Sequence, residues 1–216
     1  MGNGRHPSFG DYGSGDNPRG PLTDHWHRHT NITMMRSAPP TARVLYSAEQ
    51  IADRVRTLGA EITRNYAGGS LVILCILKGS FVFAADLIRA IDLPIRVEFL
   101  GVASYGSGTQ STGVVQVTQD LTSTIADEDV LLVEDIIDSG LTIEYLLKQL
   151  QLRHPRSLRV CAFLHKPANT QKRVNIDYLG YTIEDEFVVG YGLDYAQRYR
   201  NLRDLCVLGI PPSATV

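Results

Sequence analysis

No apolar run in this sequence reaches the roughly 18 residues that a membrane-spanning helix needs, and the N-terminus has no hydrophobic signal core. Gly2 follows Met1, but His6 stands where a myristoylation signal requires Ser or Thr. Net charge is also scarce. A formal −2 at pH 7 removes the long-range field of a general nucleic-acid or membrane-surface binder, so any anion site must be local. Cysteine is sparse and odd in number. Cys75, Cys161 and Cys206 each lie in an apolar run and share no metal-ligand spacing, so they read as buried thiols of a cytoplasmic protein kept reduced. Aliphatics are nearly missing from residues 1–40, where Gly, Pro, Asn and His dominate. Such a stretch cannot bury enough apolar surface to offset its ordering entropy. It reads as a disordered N-terminal extension ahead of one folded domain, 41–216. His25, His27 and His29 alternate around Trp26 and Arg28 without a carboxylate or Cys partner, so a solvated tail outweighs a metal site there.

The rest of the chain holds the apolar residues: 44% of 216 are hydrophobic, enough for one sizeable core. Ala42 to Tyr46 is a short strand candidate. Ser47 and Gln50 then form a capping-box pattern, and Ile51, Val55, Leu58 and Ile62 follow at helical spacing, predicting a helix over 48–66 that ends at Ala67-Gly68-Gly69. Leu71 to Leu77 is apolar throughout, as a strand buried on both faces requires. Ser80 is placed to cap a helix over 81–91, broken before Pro94, and Ile95 to Val102 is the next strand. Ser104 to Gln119 is rich in Ser, Thr and Gly and suits either a surface hairpin or a flap. Leu158 to Leu164, Asp177 to Ile183 and Phe187 to Gly190 are further strand candidates, and Leu205 to Ile210 reads as an edge strand. Strands alternating with helices predict an α/β fold, a central, mostly parallel sheet flanked by helices.

The stretch most informative about chemistry is Val130 to Thr142, VLLVEDIIDSGLT. A buried strand runs into two acids, Glu134 and Asp135, then into the small turn Asp138-Ser139-Gly140-Leu141-Thr142, then into a helix with Ile143, Leu146, Leu147 and Leu150 on one face. Open α/β sheets bind ligands beyond the carboxyl ends of strands. A helix start presents free N–H groups to an anion, and Gly140 lets the backbone come close. Paired acids beside a phosphate cradle suit ribose hydroxyls or Mg²⁺. Asp138 fits two roles equally from spacing, helix cap or base. Lys78-Gly79-Ser80 and Lys166 each follow a strand, where a cation could meet an anion or a carbonyl, although most lysines are simply solvated. Asp194 could reach a metal, and Arg198 and Arg200 could grip phosphate.

VLLVEDIIDSGLT resembles the phosphoribosyl-pyrophosphate motif of type I phosphoribosyltransferases. Leu77-Lys78-Gly79-Ser80, Ser104-Tyr105, Lys166 and the segment FVVGYGLDYAQRYR (Phe187 to Arg200) resemble the hypoxanthine-guanine branch in identity, order and spacing. The likeness covers about residues 42–210. It implies a type I core with a small hood built from terminal segments and a mobile flap. It also implies that residues 138–142 (Asp138, Ser139, Gly140, Leu141, Thr142) cradle the 5′-phosphate of the activated sugar (PRPP), and that Glu134 and Asp135 bracket the ribose and a magnesium shell. Lys78 and Gly79 would form a pyrophosphate loop with a cis peptide between them, and Arg200 would touch pyrophosphate. Ser104 and Tyr105 would belong to the flap. Lys166 would meet the purine 6-oxo group, Phe187 would stack on the ring, and the Val188 backbone would read its edge. Asp194, on the purine side, would hold a second Mg²⁺. Leu141 departs from relatives with lysine in the turn, leaving the phosphate to backbone amides.

The resemblance implies a purine-salvage transferase with Mg²⁺ as cofactor and PRPP, hypoxanthine and guanine as partners, assembled as a homodimer or homotetramer, with Asp138 as the catalytic residue. No nucleic-acid or membrane partner is expected. A transferase preferring xanthine or a pyrimidine is the alternative enzyme. A non-catalytic regulator that keeps the fold is the alternative of another class, weakened by the absence of a basic patch.

Overall fold

The computed structural model describes residues 42–105 and 114–209, with backbone alone at 104, 105 and 114. The N-terminal extension with His25, His27 and His29, the expected flap residues 106–113 and residues 210–216 lie outside the described residues. Among the described residues nine strands and three α-helices follow in order: β1 (Ala42–Tyr46), α1 (Ala48–Asn65), β2 (Leu71–Leu77), α2 (Phe81–Ala90), β3 (Ile95–Tyr105), β4 (Val114–Gln119), β5 (Asp129–Ile137), α3 (Leu141–Gln151), β6 (Ser157–His165), β7 (Tyr178–Thr182), β8 (Val188–Val189) and β9 (Leu205–Leu208). The main sheet has the order β4-β3-β2-β5-β6-β7. Its strands are parallel except for β4, which returns antiparallel to β3 with Tyr105 opposite Val114. No described helix is long and apolar enough to cross a membrane.

The apolar run of β2 is central because helices cover both of its faces. Ile73 and Cys75, with Leu131, Val133 and Phe163, pack under α1 and α2. Val72, Leu74 and Ile76, with Val130, Leu132 and Val160, pack under α3. The helix α1 starts as its sequence demands. Gln50 N–H donates to Ser47 Oγ at 3.3 Å, and Ser47 N–H donates to Gln50 Oε1 at 2.9 Å. Its buried face is Ile51, Val55, Leu58 and Ile62. Phe163 lies at the centre, fully buried, with ring centroids 5.3 Å from Phe83 and 5.0 Å from Tyr191. Phe163→Ala is therefore expected to cost about 3–5 kcal/mol through lost burial and a residual cavity, readable as a lowered urea midpoint.

Two expectations about local structure are corrected. Ser80 does not cap α2 with its side chain. Its backbone is already helical (φ −76°, ψ −9°), whereas a capping residue is extended. The hydroxyl instead donates back to the Ile76 carbonyl and lies 3.0 Å from Cys75 Sγ. The strand at Leu205 is not an edge. β9 is the middle strand of a separate antiparallel sheet, β1-β9-β8, drawing one strand from the start of the described chain and two from its end. This small sheet is the hood. A four-residue apolar run carries no information about how many partners it has, because partners come from distant sequence.

Candidate active site

The site is assembled from strand ends. β5 delivers Glu134 and Asp135, whose side chains diverge because successive strand residues face opposite sides. Glu134 is buried, and its Oε2 has no hydrogen-bond partner. Burial, and then the neighbouring Asp135 charge, push its carboxyl well above the ordinary range. Asp135 faces an open cleft. Burial pushes its carboxyl up to about 6, against the pull of the Ile136 and Asp135 backbone N–H groups and of Arg200.

β2 ends in the loop Lys78-Gly79-Ser80. The cis peptide is Leu77–Lys78, one bond before the position expected; no proline marks it in the sequence, and cis bonds are otherwise a proline trait. Gly79 is pressed between two other segments. A Cβ there would lie 1.5 Å from Asp135 Oδ2. On the other side, a Cβ on Gly192 (φ +102°) would lie 2.2 Å from the Gly79 carbonyl oxygen. Only glycine suits either position. Beyond Gly192 comes Asp194, whose Oδ1 pairs with Arg200 Nη2 at 2.5 Å and whose Oδ2 accepts the Gln197 N–H at 2.8 Å. Arg200 also donates to the Gly192 carbonyl at 2.8 Å. Arg200 is thus held on the 190s loop, next to the Lys78-Gly79 loop.

The turn Asp138-Ser139-Gly140-Leu141-Thr142 joins β5 to α3. Gly140 is the residue at the helix start, with φ +80° and no side-chain cap. Asp138 is therefore free of the capping role and stands exposed. The turn is fixed from behind, because the Ser139 carbonyl accepts the Gln171 and Lys172 N–H groups, each at 3.0 Å. A Cβ on Gly140 would lie 2.3 Å from the Lys172 carbonyl oxygen. The first-turn amides of α3 have no acceptor within the helix; the Leu141 N–H donates to Ser139 Oγ at 3.4 Å, and such a helix start offers backbone donors to an anion.

A cleft of about 580 Å³ opens beside the turn, lined by Asp135, Ile136, Asp138, Lys166, Asn169, Asp185, Phe187, Val188, Leu193 and Asp194. Six residues singled out by the sequence meet there: Asp135, Asp138, Lys166, Phe187, Val188 and Asp194. Lys78, Gly79, Arg200 and the residues from Ser139 to Thr142 stand outside that lining. Ser104 and Tyr105 reach the end of β3, and their side chains lie outside the described residues. Of the acids expected around magnesium, Asp135 and, for a second ion, Asp194 line the cleft together, and Glu134 does not. Glu134 is buried and absent from the lining, and no described group of three metal-ligating side chains converges. Asn169 and Asp185 were not anticipated; their signal was position, as polar residues in loops beside Lys166 and Phe187.

Phe187 leaves much of its ring open, at 40% exposure, braced edge-on by Tyr195 with centroids 5.6 Å apart. β8 is an edge strand. The Leu208 N–H donates to the Phe187 carbonyl at 2.8 Å, so Val188 and Val207 form a non-hydrogen-bonded pair and the Val188 backbone groups face away from β9.

The raised Asp135 carboxyl has a consequence for stability. An unfolded Asp titrates near about 3.9. Between that pH and about 6 the folded protein keeps a proton that the unfolded chain has released. This group's contribution is therefore fully present below about pH 4, falls as pH rises, and is lost above about 6. Urea titrations of ligand-free wild type and Asp135→Asn should show wild type losing more stability than the variant across that window. Parallel curves would mean that Asp135 is not raised.

Residues 43–196 match the model of the phosphoribosyl transferase domain. The chain is 52% identical to the hypoxanthine-guanine phosphoribosyltransferase of Mycobacterium avium over 165 residues, 74% of this chain and 81% of that protein. It is 46% identical to the hypoxanthine phosphoribosyltransferase of Buchnera aphidicola over 164 residues, 75% of this chain and 93% of that one. The crystal structure of a hypoxanthine-guanine phosphoribosyltransferase from Bacillus anthracis superposes with a TM-score of 0.74 at 41% identity, covering 77% of this chain and 98% of that one. A family match over most of the chain, on a fold whose strand-end turn and cleft stand as described, means that this chain belongs to the phosphoribosyltransferase family.

Proposed function

We propose that the protein is a purine-salvage transferase that moves 5-phosphoribosyl from PRPP to N9 of hypoxanthine, and of guanine, releasing IMP or GMP and pyrophosphate. The observation that carries this reading is the cleft itself, whose lining Lys166 and Phe187 share with Asp138 beside the turn before α3. The turn holds the 5′-phosphate through backbone amides, and the ribose lies toward Asp135. Lys166 donates to the 6-oxo oxygen, Phe187 stacks on the base, and the outward Val188 backbone pairs with its edge. Purine N9 bonds to C1′ as the bond from C1′ to the pyrophosphate oxygen breaks. Asp138 takes, or balances, the proton on the N7 side of the purine. Lys78 and Gly79, with Arg200, receive the pyrophosphate.

Four carboxylates, Asp135, Asp138, Asp185 and Asp194, line a cleft meant for a polyanion, so a divalent cation fits. Mg²⁺ takes one or two protein carboxylates and completes its shell with substrate phosphates and water. Asp135 and Asp194 would hold it, and when bound it neutralises charge on the leaving pyrophosphate. Glu134 is buried and stands outside that lining. The same reading carries a cytoplasmic location, in keeping with three free, buried thiols, and a homodimer or homotetramer.

A base panel tests the reading. Purified protein with PRPP and Mg²⁺ should release pyrophosphate with hypoxanthine and guanine, and more slowly with xanthine or a pyrimidine. Absence of turnover with both purines would overturn it.

A further inference from the structure

Lys166 is an unusual lysine. It is 7% exposed, at the end of β6, and its backbone N–H is tied to the Ile137 carbonyl at 2.9 Å. A buried ammonium needs a fixed counter-charge, since an unpaired one loses its proton or moves. The cleft offers several carboxylates, yet Lys166 Nζ pairs with Asp185 Oδ1 at 3.4 Å. That carboxylate is itself held. Asn169 Nδ2 donates to the same Oδ1 at 2.7 Å, and this bond ahead of the Lys166 charge keeps the Asp185 carboxyl below its usual range. Asn169 ends the short 3-10 turn Pro167–Asn169 that follows Lys166, while Asp185 precedes Phe187 by two residues. The two loops that carry the base-binding side chains are thus joined through one oxygen.

We infer that Asp185, steadied by Asn169, is a positioning residue that holds the Lys166 ammonium on the base-binding wall and away from Asp138. This inference rests on the purine-transferase reading above. Asp138 lies in the same cleft, one residue beyond the Ile137 carbonyl to which Lys166 is tied. Were Lys166 to pair with Asp138, one contact would remove both the donor for the 6-oxo group and the free carboxylate needed for the proton. Asp185 prevents this by offering a nearer partner on the opposite loop. Its geometry also leaves Lys166 able to donate: at 3.4 Å the pair is long, and an ammonium has three N–H donors. The ion pair therefore orients the group without consuming it.

The test is a double-mutant cycle read on two bases. Asp185→Asn should raise the KM for hypoxanthine about tenfold and lower kcat several-fold, with the KM for PRPP within about twofold. The penalty should be much smaller on purine itself, which lacks the 6-oxo group. Asn169→Ala should give a weaker effect of the same kind, and Asp185→Glu should recover most of the loss. In a Lys166→Ala background, Asp185→Asn should cost nothing further. Equal penalties on hypoxanthine and purine, or additive losses in the cycle, would show Asp185 to be merely structural and overturn the inference. Denaturation midpoints, expected unchanged for the variants of the exposed Asp185, would expose a folding defect. Wild type that turns over neither base would instead overturn the transferase reading.

Discussion

Replacing Asp138 by Asn is expected to lower kcat by roughly 10²- to 10⁴-fold while leaving the KM for PRPP within a few-fold. The argument begins with what Asp138 does not do. Gly140 occupies the helix start and α3 has no side-chain cap, so removing the Asp138 charge takes no bond from the helix. Nor does it loosen the turn, which is fastened by the Ser139 carbonyl to residues 171 and 172. What remains is an exposed carboxylate in the cleft that Lys166 and Phe187 also line. Asn keeps the shape and can donate a hydrogen bond, but it cannot take up a proton or balance a positive purine. The loss therefore falls on the transition state. Steady-state kinetics with hypoxanthine check this. A matched loss in kcat and in PRPP affinity would place Asp138 among the groups that bind the sugar phosphate.

Gly79→Ala is expected to reduce kcat/KM for PRPP by about 10²-fold or more. The methyl group would fall 1.5 Å from Asp135 Oδ2 and 2.5 Å from its Cγ, so it cannot be accommodated without moving the β5 end or the loop. The loop cannot retreat freely, because the Gly79 carbonyl already abuts Gly192, where a Cβ would meet it at 2.2 Å. Three segments of the chain converge at this glycine, and displacing one by about an ångström disturbs Asp135, the Lys78-Gly79 loop and the approach to Asp194 together. The stability cost should be smaller, about 1–3 kcal/mol as for other overpacked sites, because the two main clusters of buried side chains lie below the strand ends. Kinetics and a urea midpoint measured on the same preparation separate the two effects. An alanine variant with full activity would mean that Asp135 has room to move, contrary to the packing described.

Much of this molecule was legible in its sequence where the controlling interactions are local. The Ser47–Gln50 box fixed the start of α1 because both hydrogen bonds span three residues. The unbroken apolar run of β2 announced a strand covered on both faces, and the order strand, acids, glycine turn, helix put a tight turn between β5 and α3. Ser80 shows the limit of local reading, since its hydroxyl had a cap pattern but a nearer acceptor in the preceding strand once the loop had folded.

What the sequence determined, then, is the set of elements and the residue types that stand at the strand ends. The tertiary structure alone decided which of them meet. It turned β9 from an edge into the centre of the small sheet, separated Glu134 from the cleft that Asp135 faces, and set Gly79 against both Asp135 and Gly192. It also drew Asp185 to Lys166, a pair no motif suggested. The reason is physical. Propensity, capping and alternation act over a few residues, whereas contacts between residues 79, 135 and 192 follow from sheet order and loop closure, which depend on packing across the whole domain.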